Sequence, residues 1–427
     1  MFRPKLLLAA VALLAVSATN TLAVSRASAR KPVATPATTA ASTPLMYSTL
    51  GKHAVGYRQF TTRGAQHRSL KLRVWYPAVT PAGGATPTIR YVQANKFDAQ
   101  DLPVKRITAV GTAAENALAD IRNGPYPLVV FSHGYALSPI VYSTLVEHYV
   151  SHGFVVLAPE HNETFDRSLG GFWKALIDRP ADIKFTVDYA EKLTKPGSSL
   201  AGLIDVSRTA VVGHSYGGYT ALAAAGARYD LDAYNKRCAQ LGPDDPLNFF
   251  CAPVVPRETQ MAKRVGRRTL PTGLWPSLGD SRVKAVISMA GDAYLFDQRG
   301  LAHLTVPVMA MGGTIDEGTP YTWGARLTYD HAASVNKSLV TFTGAGHMVF
   351  ADPCDNLPWT RKFSYGDAFC NDAVWGTKRP LGVVKHYSTA FLLDSLKDDR
   401  AARISLVSRT TPTLRDVAYE TSNPKAP

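Results

Sequence analysis

Two glycines on either side of a serine, set between an apolar strand and a helix of small residues, constrain this chain more than any other feature. The run is Gly213-His214-Ser215-Tyr216-Gly217. A GxSxG pentapeptide alone is common, but its surroundings here are specific. The sequence TAVV at 209–212 predicts a buried strand before it, and Gly218 with an alanine-rich helix over about 216–228 follows it. A strand that turns into a helix within one residue must keep side chains away from the crossing point. It also holds the serine in a strained, exposed conformation at the head of the helix. The geometry requires a buried strand whose following helix packs back onto its own sheet.

The rest of the chain repeats that rhythm. Stretch 70–76 (LKLRVWY) alternates like a half-exposed strand, while 128–132, 154–158, 283–289, 307–311 and 339–342 are short continuous apolar runs, as buried parallel strands are. Helical spacing appears at 140–152, 181–193 and 381–396. Alternation of this kind predicts an α/β fold, a mostly parallel central sheet flanked by helices on both faces. The 427 residues, 46% of them hydrophobic, suffice for one large domain. It is expected over 45–410, with 411–427 as a C-terminal tail. Residues 229–280 break the rhythm with several prolines and two cysteines. They read as a lid-like insertion over the sheet's catalytic edge.

The first residues read as an export signal. Arg3 and Lys5 precede the apolar run 6–16, which is shorter than the ~20 residues a spanning helix needs. Small residues follow, and cleavage is expected after Ala23 or Ala29, within a signal region 1–29. The Ala/Thr/Pro-rich stretch 30–44 lacks large apolar side chains and is expected to be a flexible leader. The protein is therefore expected to be secreted or periplasmic, where disulfides are permitted. Its four cysteines allow three pairings. Cys238–Cys251 and Cys354–Cys370 are favoured, because each pair falls in a short irregular stretch. Neither spacing suits zinc and no HExxH is present, so no metal and no cofactor is implied. The net charge of +14 suits association with anionic lipid or polymer surfaces. Basic residues are scattered apart from Lys263, Arg264, Arg267 and Arg268, and without a recognition motif nucleic acid is not an expected partner.

A serine hydroxyl needs a base before it attacks anything. His347 stands in Gly344-Ala345-Gly346-His347-Met348, directly after the strand LVTF and with small neighbours, as a late catalytic histidine would. The acid that orients it is expected at Asp316, just beyond the strand PVMAM, in the order serine, acid, histidine. Asp292, beyond the strand VKAVISM, is the alternative, and Glu317 is expected to point elsewhere. Charge on a tetrahedral intermediate needs backbone donors. The N–H of Tyr216, next to the serine, is one. The N–H of Tyr135, in the His133-Gly134-Tyr135 turn after LVVFS, is the other. The rings of Tyr135, Tyr216 and Trp323 either line a pocket or pack in the core.

With these motifs the mature chain resembles the α/β-hydrolase superfamily. The segment FSHGYALSPIVYSTLVEHYVSHGFVVLAPEHN is similar to platelet-activating-factor acetylhydrolases and bacterial dienelactone-hydrolase-like esterases. Bacterial polyester hydrolases and cutinases share the single-glycine turn, a GHSxGG elbow and a disulfide near the C-terminus, which GHSYGG and the Cys354/Cys370 pair match. The acetylhydrolase pattern places the acid in a D-A-aromatic stretch, as in Asp292-Ala293-Tyr294, and the cutinase pattern places it at Asp316. Dienelactone hydrolases proper use cysteine where this chain has serine. SYGGY is similar to prolyl oligopeptidases, but their propeller has no room here. The resemblance implies an exported serine esterase or lipase that forms an acyl-enzyme on Ser215 with a small-molecule, lipid or polyester ester. The alternatives are an acetylhydrolase-like phospholipase, a peptidase or amidase, and a non-catalytic binding protein on the same fold. The oligomeric state is not legible.

Overall fold

The computed structural model describes residues 45–407 and 414–423, apart from 65–67, 81–86, 165–168, 243–244, 246, 365, 373 and 377. The expected signal and leader, 1–44, lie outside the described residues. The strands are β1 (Ala54–Arg63), β2 (Ser69–Ala78), β3 (Ile89–Ala94), β4 (Arg106–Gly111), β5 (Ala114–Glu115), β6 (Tyr126–Ser132) and β7 (Val155–Glu160). They continue with β8 (Ile204–His214), β9 (Val283–Met289), β10 (Val308–Gly313), β11 (Lys337–Phe342) and β12 (Val417–Thr421). Ten of them form one sheet in the order β12-β11-β10-β9-β8-β6-β7-β2-β1-β5, and β3 pairs with β4 apart from it. From β7 to β11 all neighbours are parallel. Antiparallel β2 and β12 flank that block.

The parallel strands are apolar throughout because both of their faces are covered. Along β6, Val129 and Phe131 face one core, shared with Leu145 and Tyr149 of α1 (Ser143–Ser151). Leu128 and Val130 face the other, shared with Leu176 and Val187 of α2 (Phe172–Leu193) and Leu222 of α3 (Tyr216–Ala224). The insertion contributes α4 (Leu231–Cys238), α5 (Asn248–Cys251) and α6 (Glu258–Arg264). Its Tyr234, Phe250, Met261 and Trp275 are buried in that second core. After α7 (Asp297–Leu301), α8 (Ala325–His331) and α9 (Asp367–Cys370) comes α10 (Arg379–Lys397). It closes the first core with Val384 and Phe391. Among the described residues no helix is long and apolar enough to cross a membrane.

The structure corrects three expectations. Residues expected to form only a tail supply β12, which pairs with β11; its alternation of half-buried and exposed residues leaves a weak signal. Helix α2 begins at Phe172, well before 181, and runs through Pro180. Cys238 and Cys251 are joined, with Cα atoms 5.7 Å apart, but Cys354 and Cys370 are not. Cys370 Sγ lies 3.7 Å from Thr360 Oγ1.

Candidate active site

Tyr135, Ser215, Tyr216, Asp316 and His347 all follow the carboxyl ends of parallel strands. There α/β sheets place their sites, because loops diverge from strand ends. Strand β8 ends at His214, and Ser215 follows with φ +57° and ψ −125°. That region is costly for a residue with a side chain. Crowding enforces it: a Cβ on Gly213 would lie 2.1 Å from Gly217 O, and one on Gly217 2.0 Å from Ser132 O. Ser215 N–H is bonded to Met289 O at 2.8 Å. The serine heads α3, yet its side chain makes no capping bond. The half-buried hydroxyl is thus not committed to the helix.

The structure brings His347 and Asp316 together. His347 Nδ1 is 2.8 and 2.9 Å from the two Asp316 carboxylate oxygens. The carboxylate is 1% exposed and the imidazole 17%. Thr319 N–H donates to Asp316 Oδ1 at 2.7 Å, which fixes the carboxylate from within its own turn. Asp292 is not bonded to the imidazole. It accepts from Thr319 Oγ1 at 2.6 Å, so Thr319 links the two acids, by its hydroxyl to Asp292 and its N–H to Asp316. Burial raises the Asp292 carboxyl to about 7, against the opposing pull of Thr319 and His347. For His347 itself, burial favours the neutral ring. The Asp316 charge and hydrogen bond, helped by Asp292, outweigh it and leave the imidazole above its usual range.

A buried bond chain joins base, elbow and turn. His214 Nε2 lies 2.9 Å from His347 O, a carbonyl that can only accept, so Nε2 carries the hydrogen. Nδ1 must then accept, and Tyr142 Oη donates to it at 2.8 Å. Tyr142 Oη in turn accepts Gly134 N–H at 3.2 Å. Burial and the neighbouring His347 keep His214 neutral, which this tautomer requires. The rings of His214 and His347 are 4.8 Å apart, so the residue before Ser215 rests directly on the candidate base.

Tyr135 and Tyr216 stand side by side, ring centroids 5.4 Å apart, and Phe172 packs on both at 5.1 and 4.8 Å. Phe249 of the insertion extends that series against Phe172 at 5.8 Å. Trp323 packs elsewhere, against Tyr294 and beneath Arg237. Sequence reasoning missed Thr319, Tyr142 and the role of His214. Each acts through a contact between distant residues, and no local pattern marks such a contact.

Residues 95–242 match the Chlorophyllase family. Over 152 residues, 35% of this chain, it is 32% identical to Cutinase est1 of Thermobifida alba, covering 48% of that protein. Cutinase cut1 of Thermobifida fusca is 30% identical over 152 residues, 44% of its length. Chlorophyllase-2 of Arabidopsis thaliana is 32% identical over 130 residues, 37% of its length. The chain thus spans at most 48% of the length of these three relatives. A solved ferulic acid esterase from Streptomyces cinnamoneus superposes with a TM-score of 0.54, over 88% of this chain and 98% of that one. At 20% identity this likeness is one of fold. With its parallel sheet flanked by helices, its strained serine elbow and the superposition on that esterase, the chain has an α/β-hydrolase fold.

Proposed function

We propose that this chain is an exported serine hydrolase of carboxylic esters, with Ser215 as nucleophile, His347 as base and Asp316 as the acid that orients it. The observation that carries the reading is the pair of short contacts from His347 Nδ1 to the Asp316 carboxylate. They commit the Nδ1 hydrogen to Asp316 and leave Nε2 a lone pair for the serine proton. In the first step Ser215 Oγ bonds to the ester carbonyl carbon and its proton passes to Nε2. The carbonyl π pair moves onto oxygen, where the N–H groups of Tyr216 and Tyr135 receive the charge. Collapse breaks the bond to the alcohol, which leaves with the proton from His347. Water then gives a proton to Nε2 and its oxygen to the acyl carbon. The acid departs as Ser215 recovers the proton.

The cutinase likeness supports an ester, small-molecule or polymeric, as substrate. Arg3 and Lys5 before an apolar run, with the Cys238–Cys251 bridge, support export. A fluorophosphonate probe should label wild-type protein at Ser215 and leave Ser215→Ala unlabelled. A graded series of nitrophenyl esters, a polyester film and a short-chain phospholipid would then rank the substrates. Absence of labelling in a folded protein would favour the binding-protein reading. Turnover of the phospholipid alone would favour the acetylhydrolase.

A further inference from the structure

Arg179 has no role in the chemistry above, and its side chain is wholly buried on α2. A buried guanidinium loses its hydration and is tolerated only where its donors are satisfied. Here Nε meets the Glu163 carboxylate, Nη1 donates to His133 O at 2.6 Å, and Nη2 to Gly134 O at 3.3 Å. The same cation lies 4.9 Å from the centre of the Tyr216 ring. It therefore touches both chain segments assigned to the oxyanion donors.

His133 supplies a second hold. Its Nε2 accepts the backbone N–H of His161 at 3.2 Å, an obligatory donor, so the ring hydrogen must sit on Nδ1. That Nδ1–H donates to Gly134 O at 2.8 Å. Leu137 N–H closes the turn on the same oxygen at 3.2 Å, so two side-chain donors and one backbone donor fix one carbonyl oxygen. The C=O of Gly134 and the N–H of Tyr135 belong to one planar trans peptide and point in opposite directions. Holding the oxygen towards α2 turns the Tyr135 N–H away from α2. We infer that Arg179, together with His133, is a positioning residue that sets the Gly134–Tyr135 peptide in the orientation an oxyanion donor requires.

A neighbouring relay braces the same turn. Ser132 Oγ lies 3.0 Å from His161 Nε2, and His161 Nδ1 lies 2.9 Å from Asp182, which is paired with Arg68. The series has the composition of a catalytic triad, but all three members are buried. Its serine immediately precedes His133, so its bonds hold the end of β6 from which the turn departs.

The inference rests on the reading of Tyr135 N–H as oxyanion donor, and the experiment separates the two. Arg179→Met combined with Glu163→Gln removes the cation with its buried counter-charge. Arg179→Lys keeps the charge but offers one ammonium where a planar fork spans two carbonyls. Both are measured with nitrophenyl butyrate, with an alkyl boronic acid that adds to Ser215 and presents a tetrahedral oxyanion, and by thermal unfolding. In a cooperatively melting double variant, kcat should fall about 10²-fold, the low end of the loss of one oxyanion donor. Boronate affinity should fall by a similar factor while KM stays within about twofold, and Arg179→Lys should regain part of kcat. Where the double variant does not fold, Arg179→Lys carries the test by the same split. Folded variants with wild-type kcat and boronate affinity, or a change confined to KM, would overturn the inference. Activity surviving in Ser215→Ala would instead overturn the assignment of the nucleophile, whatever Arg179 does.

Discussion

Thr319 serves both carboxylates that could orient His347, giving its N–H to Asp316 and its hydroxyl to Asp292. The two acids are therefore unequal in kind. Asp316 holds the imidazole, and Asp292 holds the residue that holds Asp316. Asp316→Asn should lower kcat/KM by about 10⁴-fold, because an amide favours the wrong tautomer. Asp292→Asn should cost about tenfold or less, since its amide oxygen can still accept from Thr319. The opposite ranking would move the chain to the acetylhydrolase pattern. The pH profile follows from the same contacts. As the proposed base His347 would work only when neutral, and its imidazole is raised despite burial, so activity should rise with pH through a midpoint above 6.5. Removing the Asp316 charge should lower that midpoint. Stability runs the other way. A raised folded pKa contributes stability below the unfolded value that is lost as pH rises through the folded one. The same sign holds for Asp292, raised to about 7. Ser215→Ala should thus melt at a lower temperature as pH climbs through this window. A melting temperature rising there would contradict the assignment.

At the scale of elements, polar groups of one segment complete another. Pro180 has no N–H for the carbonyl one turn before it, yet Leu176 O is not stranded in the core. Tyr219 of α3 and Tyr229 both donate to it at 2.6 Å, which ties the helix after the elbow to α2. Sequence reading started α2 too late for the same reason, since proline ordinarily marks a helix start. Helix α1 has Tyr142 at its N-cap, which makes no side-chain capping bond. Asp352, from the segment after His347, takes the cap's place, accepting Ser143 Oγ at 2.8 Å and Thr144 N–H at 3.0 Å. Its own N–H donates to Val141 O at 2.9 Å, so the segment of His347, the proposed base, is fastened to the helix beyond the Gly134–Tyr135 turn. Asp352→Ala should lower unfolding free energy by about 1–2 kcal/mol as a lost cap, read from denaturant titration, with Asp352→Asn milder. No change in either would leave the cap without energetic weight. The parallel strands were legible because burial on both faces writes unbroken apolar runs. The serine elbow and the His347–Asp316 pair, on which the proposed triad rests, could be read as candidates because each residue follows such a strand among glycines. Asp352, Thr319 and Arg179 were not, because they act on partners far away in the chain.

Over the whole molecule, one sheet edge collects the ends of β6, β8, β9, β10 and β11, and the insertion leans on that edge from one side. Its grip is covalent as well as apolar. The Cys238–Cys251 bridge spans 13 positions and ties α4 to α5, two residues beyond Phe249. Phe249 lies on Phe172, which packs on Tyr135 and Tyr216. The bridge thus bears on stability and on the wall of the site together. A closed loop of this length restricts the unfolded chain by about 3 kcal/mol. Cys238→Ser with Cys251→Ser should cost roughly that much and lower the melting temperature. Freed from its tether, Phe249 should also hold bulky acyl or alcohol groups less well. KM for a bulky aromatic ester should rise several-fold while kcat on an acetyl ester, which needs no wall, stays near wild type. Unreduced peptide mapping should show the 238–251 link, and alkylation after unfolding should mark only Cys354 and Cys370, the thiols of this structure. Burial and the neighbouring Cys370 push Cys354 up to about 11, so it should react slowly in the folded protein at neutral pH. A variant that loses stability but keeps every KM would leave the bridge a purely structural staple and detach the insertion from substrate choice.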